Sequence, residues 1–531
     1  MAVDIVFAER AGWHRLRVGV CDVMFAGDRA PADQLAVAIA QDHIDGAAVQ
    51  AAAAAAKGHF AAIVSGPAIA CAMTDHCRST PVFLTQAAAS NDAHALQRST
   101  AISTPDPAAI RDAVMAGFVT GGRTLYAGLN QLEAGAYAIW QPHADGPQVS
   151  RHTIYQPEAV DRRHEDALVD DLLGILDDAI DRVLAQAGNR PIWVPLSGGL
   201  DSRVLLAKFV ERGGTNLFAF TYGPRGNDEV SVARTVARRL EVPWRFFPSR
   251  RSETRRFFDS SARKAWWNFA DGLSAVPNFQ DFLTLRRLAA RGGLPDDVVI
   301  VNGQTGDFIT GGHIPAKLMV DRPGANALFE AIVAKHFSLW NSLKTTERLS
   351  ALRSEVLARF SLSPDSPLDR DEAIAHYERF EFEERQAKYV INGQRNYEHL
   401  ARDWALPLWD AAFVAFWRNI PVEQKYRQKL FRTALARWNY RGLFRDFHPH
   451  VVQWPGMSKA VLLPSRAIRL ALGRPARDAF LKRMLYFGLY QDQYAPFGLL
   501  AFLEEAGDLR NPVSLLSRAW LAEQGLSTEA A

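Results

Sequence analysis

The sequence predicts an α/β protein with a β-rich first half and, in the second half, a parallel sheet flanked by helices. Three observations carry this fold class. Short strand-like runs separated by turn residues fill residues 1–150, strand and helix patterns alternate from residue 190, and helical patterns dominate beyond residue 312. Because 531 residues exceed one ordinary core, we expect two domains, residues 1–150 and 151–531.

The first half is expected to form β-rich layers. Apolar runs with the length of strands occur at 5–7, 16–20, 60–64, 81–84 and 137–141. An alanine tract at 47–56 favours a helix, and Gly, Pro and Asp residues at 141–152 indicate a turn or a domain boundary. Apolar residues at helical spacing then predict a helix at 165–187.

From residue 190 the pattern becomes strand, helix, strand. Strands are predicted at 192–196, 217–221 and 244–247, and helices at 201–211 and 228–240. This alternation is typical of a parallel sheet with helices on both faces, in which ligands bind beyond the carboxyl ends of the strands. The turn after the first of these strands is therefore the first candidate site.

Composition argues against several classes of protein. The hydrophobic and charged fractions, 48% and 22%, are those of a globular protein, and no segment offers about 20 uninterrupted apolar residues. The N-terminus lacks the pattern of a secretory signal, so we expect a cytoplasmic protein without membrane insertion. Cys21, Cys71 and Cys77 form neither a disulfide framework nor a zinc pattern, and we expect packing or surface cysteines.

The net charge of +3 conceals a basic segment at 424–483, which has fourteen Lys and Arg residues and two acidic residues. This segment either helps to hold phosphates or an anionic acceptor, or it forms solvated helix faces with structural ion pairs. We expect no nucleic-acid binding, because no aromatic platform or reader motif accompanies the charge.

The strongest chemical signal lies at residues 197–202, which read SGGLDS between a predicted buried strand and a predicted helix. Glycines let the backbone approach an anion, and a helix N-terminus supplies unpaired N–H donors. The turn therefore predicts a phosphate site. It is not the common P-loop, because the Gly-x-x-x-x-Gly-Lys-Ser/Thr spacing is absent.

This turn resembles the pyrophosphate-binding loop of the PP-loop ATP pyrophosphatases, in the form found in the asparagine synthetase family. Three further blocks resemble the family in the same order, namely FAFTYG at 218–223, VIVNGQTGDFITGGH at 299–313 and LPLWD at 406–410, the last with Lys425 and Lys429 following it. The resemblance covers roughly residues 190–460. It implies an ATP- and Mg²⁺-dependent ligase that adenylates a carboxylate, releases pyrophosphate and forms an amide with ammonia or a substrate amine.

The resemblance also implies roles for single residues. Asp201 and Asp307 would bind the Mg²⁺ that neutralises leaving pyrophosphate, and Lys459 would stabilise the transition states of adenylation and amide formation. Asp201 could instead be a helix N-cap, and Lys459 an ordinary surface lysine. The residues implied for ATP binding are Ser197, Gly198, Gly199, Asp201, Ser202, Tyr222, Gly303 and Gln304.

Two positions depart from the family pattern. Gln304 stands where asparagine synthetases carry an acidic residue and β-lactam-forming relatives carry tyrosine, and Phe308 replaces a glutamate. Neither side chain is a general base at neutral pH. Asp403 and Glu398 are candidate substitutes, and each also has a structural interpretation.

Residues 1–150 resemble, more faintly, the family's N-terminal glutaminase domain, which has a layered, β-rich Ntn-type fold. The similar segments are GHFAAI at 58–63, TDHCRSTPV at 74–82 and LEAG at 132–135. That domain needs a cysteine at position 2 as nucleophile, with its own α-amine as base, but Ala2 stands here. We therefore predict an inactive glutaminase domain, as in β-lactam and carbapenam synthetases and lasso-peptide cyclases, which use an amine already on the substrate.

Several hypotheses about function stay open. The substrate of a ligase would be a small-molecule or peptide carboxylate. The sequences at 278–281 and 311–315 resemble proteins of surface-polysaccharide pathways, in which the substrate carboxylate would belong to a sugar acid. The alternative is a catalytically altered nucleotide-binding scaffold, which Gln304 and Phe308 favour. Nucleobase thiolation is disfavoured because paired catalytic cysteines are absent. The resemblance allows a homodimer or a partner protein of the same pathway.

Overall fold

The first half of the chain contains two β-sheets. In this computed structural model, residues 3–225, 229–445, 447, 458–489, 495–505 and 507–527 are described. A six-stranded antiparallel sheet has the order β10-β9-β5-β4-β3-β2, and a four-stranded sheet has the order β1-β7-β6-β8. The strands are β1 (Asp4–Val6), β2 (Trp13–Val18), β3 (Cys21–Gly27), β4 (Phe60–Ser65), β5 (Ala70–Thr74), β6 (Phe83–Leu84), β7 (Ala88–Ser90), β8 (Asn130–Gln131), β9 (Ala136–Trp140) and β10 (Gln148–Arg151).

Four helices accompany these sheets, α1 (Ala30–Ala40), α2 (Gly46–Ala54), α3 (Ala93–Thr100) and α4 (Pro107–Ala116). The last three begin after aspartates, Asp45, Asp92 and Asp106, whose side chains accept backbone N–H groups of the first turn. This is the usual N-cap, which satisfies donors that the helix leaves unpaired.

Side-chain alternation along β3 separates the layers of this half. Val23 and Phe25 pack into a cluster with α1 and α2, whereas Met24 packs into a second cluster that also contains Leu84 and Ala89 of the smaller sheet. The other face of the smaller sheet contacts α3 and α4. The order of layers is therefore helices, sheet, sheet, helices.

The second half is built on a parallel sheet, as the sequence predicted. The sheet has five strands in the order β13-β12-β11-β14-β15, and neither this order nor β15 was predicted. Chain order reverses between β11 and β14, and ligands bind at such a switch point in open parallel sheets. The strands are β11 (Ile192–Pro195), β12 (Leu217–Gly223), β13 (Trp244–Pro248), β14 (Val299–Val301) and β15 (Asp403–Ala405).

Helices cover both faces of this sheet. The helix predicted at 165–187 is observed as α5 (Glu165–Ala187), and α6 (Leu200–Glu211) and α7 (Glu229–Leu240) pack with it on one face. The predicted start of α7, Asp228, lies outside the described residues. On the other face Trp193, Phe220 and Ile300 pack against Leu285 of α10 (Phe282–Ala289).

The remainder is largely helical, as predicted. Two segments are π-helical, Phe308–Gly312 and Phe382–Val390, and the last long helix, α18, is interrupted at Gly473, where φ is 83°. The other helices are α8 (Arg251–Phe258), α9 (Ser261–Ala270), α11 (Gly324–His336), α12 (Thr346–Ala358), α13 (Arg370–Glu381), α14 (Arg395–His399), α15 (Ala411–Asn419), α16 (Val422–Lys425), α17 (Lys429–Trp438), α18 (Ser458–Leu489), α19 (Gly498–Glu505) and α20 (Pro512–Glu523).

Short 3-10 turns connect several of these helices. They lie at Ala316–Leu318, Ile391–Gln394, Pro407–Trp409, Tyr426–Gln428 and Tyr440–Gly442. Among the described residues, no helix combines the length and the apolar character that crossing a bilayer requires. The three cysteines are all buried, so packing is the interpretation that holds for them.

The two halves share one hydrophobic core. Phe83 and Leu125 of the first half lie in the same cluster as Trp266, Trp340 and Trp520 of the second. The strand β10 crosses residue 150, where the boundary was expected. The division into residues 1–150 and 151–531 stays a prediction.

Candidate active site

The turn at residues 197–202 connects β11 to α6. The Ser202 hydroxyl accepts a hydrogen bond from the Ser197 N–H at 3.0 Å, and the two serine hydroxyls lie 3.0 Å apart. The Gly199 N–H donates to Ser197 Oγ at 3.1 Å. Within the described residues, no side chain caps α6 at Gly199, so the turn leaves the helix N-terminus open to an anion.

The loop after β14 lies directly against this turn, and two glycines make that approach feasible. A Cβ on Gly303 would lie 2.8 Å from the Asp201 carbonyl carbon and the Ser202 nitrogen. A Cβ on Gly306 would lie 2.6 Å from Asp201 Cγ. The approach brings the Asp307 N–H to 2.9 Å from Asp201 Oδ2, where it donates a hydrogen bond.

Asp201 and Asp307 therefore lie side by side, as the resemblance implied. Burial, with the charge of Asp307 as a smaller cause, raises the pKa of Asp201 to about 7. Burial also raises the pKa of Asp307, but the hydrogen bond and charge of His313 outweigh it and lower that pKa below its ordinary value. A divalent cation would relieve the repulsion between the two carboxylates, and such oxygen donors suit Mg²⁺.

His313 links this pair to a buried carboxylate. Its Nε2 lies 3.0 Å from Asp307 Oδ2 and its Nδ1 lies 2.6 Å from Glu381 Oε1. Burial lowers the pKa of His313, but Glu381 and Asp307 together raise it to about 9. The imidazole is thus a cation near neutral pH and fixes the orientation of Asp307.

A cavity of about 470 Å³ opens at the carboxyl ends of β11, β12 and β14. Of the predicted site residues, Gly198 and Asp307 lie beside the cavity in the two loops, and Lys459 has its side chain outside the described residues. The predicted residues that line it are Ser197, Gly199, Asp201, Ser202, Tyr222, Gly303 and Gln304.

Gln304 belongs to a network of neutral amides. Its Nε2 donates to Gln280 Oε1, and its Oε1 accepts a hydrogen bond from Gln394 Nε2 at 2.7 Å. Its backbone N–H donates to Asn302 Oδ1 at 3.1 Å. Phe308, the other departure from the family pattern, is buried in the core below the sheet. Gln304 therefore fixes the cavity wall and transfers no proton.

The two carboxylates considered as substitute bases have structural roles instead. Asp403 is exposed at the amino end of β15, where it pairs with Arg190. The cavity lies beyond the opposite, carboxyl ends of the strands. Glu398 pairs with Arg395 at 2.7 Å and accepts the indole N–H of Trp404 at 3.0 Å. Neither residue lines the cavity.

Some of the described basic residues after residue 424 form ion pairs. Lys425 is buried with its Nζ 2.6 Å from Glu378 Oε2, and Lys429 lies on the surface 3.7 Å from Glu165. Neither lines the cavity. Lys425 and Lys429 follow the structural interpretation of the basic segment, whereas the charge of Arg432 on α17 reaches Asp201 and acts to lower its pKa, so both interpretations stay open.

Asp281 and Tyr397 are among the cavity residues that were not predicted. Asp281 lies just before α10, and Tyr397 reaches it from α14, 116 residues later. A buried aspartate next to Gln280 gives no local pattern that separates it from a helix N-cap, so only the tertiary structure identifies it.

A glycine-rich turn and two adjacent carboxylates at the switch point of a parallel sheet define an α/β enzyme of the nucleotide-dependent class. The asparagine synthase family matches residues 171–463, which is more than half of the chain, and the protein belongs to this family. The family indicates a ligase-type enzyme that uses ATP. No curated protein matches the chain significantly.

Gly303→Ala is expected to slow pyrophosphate release about 10- to 100-fold, because the added Cβ displaces the backbone that carries Asp201. Release is measured with a coupled pyrophosphate assay. Gly293→Ala is the matched control, since its Cβ would meet no atom closer than 3.5 Å. Equal rates for the two variants would contradict the proposed contact between the loop and the turn.

Proposed function

We propose that this protein is an ATP- and Mg²⁺-dependent amide ligase. It adenylates a substrate carboxylate, releases pyrophosphate and transfers the acyl group to ammonia or a substrate amine, without hydrolysing glutamine. The observation that carries the proposal is that the turn at 197–202 and the Asp201–Asp307 pair meet at one end of one cavity.

The geometry supports a division of labour within the cavity. Ser197, Gly199 and Ser202 would bind the β- and γ-phosphates at the open end of α6, and Asp201 and Asp307 would hold Mg²⁺, which would supply positive charge against that of the leaving pyrophosphate. Tyr222 and the loop at 303–304 form the adjoining nucleotide wall. A cavity of about 470 Å³ falls within the range of small-ligand sites, roughly 300–1,000 Å³.

The first half supports an amine source other than glutamine. Its four layers agree with a glutaminase-like Ntn-type domain, but Ala2 stands where that domain needs its nucleophile. Cys77 is no substitute, because its thiol is completely buried and burial raises its pKa well above the ordinary value. The nitrogen therefore comes from free ammonia or from an amine on a substrate.

A nucleotide-responsive scaffold is the second candidate. Gln304 and the buried Phe308 favour it, because both replace acidic residues of the family pattern with side chains that cannot transfer a proton. Such a scaffold would bind Mg·ATP without turnover.

The test is pyrophosphate release by the full-length protein with Mg·ATP, ammonia or hydroxylamine, and a panel of amino acids, sugar acids and peptides. A ligase is expected to release equal amounts of AMP and pyrophosphate with at least one carboxylate. Calorimetric binding of Mg·ATP without AMP from any mixture would favour the scaffold. If the protein neither binds Mg·ATP nor releases pyrophosphate, both candidate functions are contradicted.

A further inference from the structure

Asp281 differs from the other aspartates at helix starts. It occupies the N-cap position of α10, yet its side chain makes no hydrogen bond to the first turn, whereas Asp45, Asp92, Asp106 and others cap their helices. It is 1% exposed and lines the cavity. Helix capping therefore does not explain this carboxylate.

One oxygen of Asp281 is bound and the other is not. Oδ2 accepts a hydrogen bond from the Tyr397 hydroxyl at 3.0 Å. Oδ1 is buried and has no hydrogen-bond partner within the described residues. A buried carboxylate oxygen without a partner is costly, and in native proteins such an atom usually has a ligand, a water or a functional role.

Tyr397 is itself held in place. The Asn302 side-chain amide donates to the Tyr397 hydroxyl at 3.1 Å and to Gln394 Oε1 at 3.3 Å, and Gln394 in turn donates to Gln304. These contacts join α14 to the loop after β14. The Asp281–Tyr397 pair is therefore set against the same wall that carries Gln304.

The environment of Asp281 suits proton transfer at neutral pH. Burial raises its pKa to about 7, and the hydrogen bond from Tyr397 acts in the opposite direction. Asp281 interacts with the phenols of Tyr222 and Tyr397, which are neutral at this pH and whose pKa values burial raises further. Glu229 and Asp201 are other carboxylates on the cavity wall. A general base works best when its pKa lies near the working pH.

We infer that Asp281 binds the amine nucleophile in this cavity and accepts its proton through Oδ1, with Tyr397 as a positioning residue. The inference rests on the proposed function and names a substrate class for it, a primary amine or ammonia that binds as a cation. Gln304 has neither charge nor basicity for this role, and Asp403 and Glu398 lie elsewhere.

The amine, bound as a cation, first gives one proton to the Asp281 carboxylate and so gains a free electron pair. That pair forms a bond to the acyl carbon of the adenylate, and the bond between that carbon and the oxygen bridging to phosphorus breaks, with its electron pair leaving on AMP. The nitrogen then loses its second proton to the phosphate of the leaving AMP or to solvent, and Asp281 later returns the first proton to solvent.

Asp281→Asn tests the inference because it keeps shape and removes the base. With a carboxylate that supports turnover, the variant is expected to retain pyrophosphate release and to form the amide at least about 100-fold more slowly with ammonia or an alkylamine. Hydroxylamine is mostly unprotonated at neutral pH and needs no base, so the variant should still form hydroxamate at near the wild-type rate.

Two comparisons separate catalysis from structure. Asp403→Asn, at the amino ends of the strands and away from the cavity, is expected to leave the rates of pyrophosphate release, amide formation and hydroxamate formation unchanged. Tyr397→Phe removes the hydrogen bond that lowers the pKa of Asp281, so the midpoint of the rise in amide formation with pH should move above about 7.

Any of four results would overturn the inference. Amide formation by Asp281→Asn at the wild-type rate would exclude a base, and equal loss of amide and hydroxamate would indicate a structural role. If the pH midpoint does not move in Tyr397→Phe, the hydrogen bond from Tyr397 does not act on Asp281 as inferred. If wild-type protein releases no pyrophosphate with any carboxylate, the proposed function fails and the inference fails with it.

Discussion

Asp201→Asn is expected to reduce pyrophosphate release by about 1,000-fold or more, which corresponds to about 4 kcal/mol of transition-state stabilisation. The asparagine side-chain oxygen can still accept the Asp307 N–H, so the contact between the turn and the loop survives. The variant loses the buried negative charge that would hold Mg²⁺ beside Asp307.

Thermal unfolding provides a measurement that does not depend on the substrate. Mg·ATP should raise the unfolding temperature of the wild-type protein, because it binds the folded state only. Mg·ATP should raise the unfolding temperature of Asp201→Asn much less. Without nucleotide, the variant should unfold at or above the wild-type temperature, because the charges of residues 201 and 307 no longer repel each other. If the variant releases pyrophosphate at the wild-type rate, Asp201 is not a ligand of the proposed metal site.

Lys425→Ala is expected to lower the free energy of unfolding by about 3–5 kcal/mol. The buried Lys425 Nζ lies 2.6 Å from Glu378 Oε2, and the other oxygen of Glu378 is buried without a hydrogen-bond partner in the described part of the chain. Removing the ammonium leaves a carboxylate whose pKa burial already raises, and whose one ion-pair partner among the described residues is gone. Denaturant unfolding measures the loss.

Lys429→Ala is the matched control for that prediction. Its pair with Glu165 is exposed and long, at 3.7 Å, so the loss should stay below about 1 kcal/mol. The double variant Lys425→Met with Glu378→Leu replaces both buried charges and should recover much of the lost stability. Equal destabilisation by Lys425→Ala and Lys429→Ala would contradict the buried pair.

The sequence predicted elements whose patterns are local. The amphipathic spacing of α5 predicted its ends at 165 and 187, and the apolar runs at 192, 217 and 244 predicted three strands of the sheet, because period and turn residues determine both. The turn at 197–202 was a candidate phosphate site for the same reason. Its residues are consecutive, so their spacing alone indicates a phosphate site.

Features that depend on distant partners were not predictable in this way. Asp281 and Tyr397 are 116 residues apart, and nothing in either neighbourhood indicates the other. The basic segment at 424–483 was a candidate for holding phosphates, but Lys425 within it is buried and pairs with Glu378 on α13. His313 stood in a predicted motif, yet its role depends on Glu381, at the far end of another helix.

The contact between the two halves has an evolutionary consequence. Arg78 donates to the Ala387 carbonyl, and the Ser79 carbonyl accepts from Arg395 at the start of α14, the helix that carries Tyr397. Residues 78–79 therefore hold part of the second half in place whether or not the first half is an enzyme. If the first half lacks glutaminase activity, as we propose, selection would still retain these residues as part of the other half's architecture.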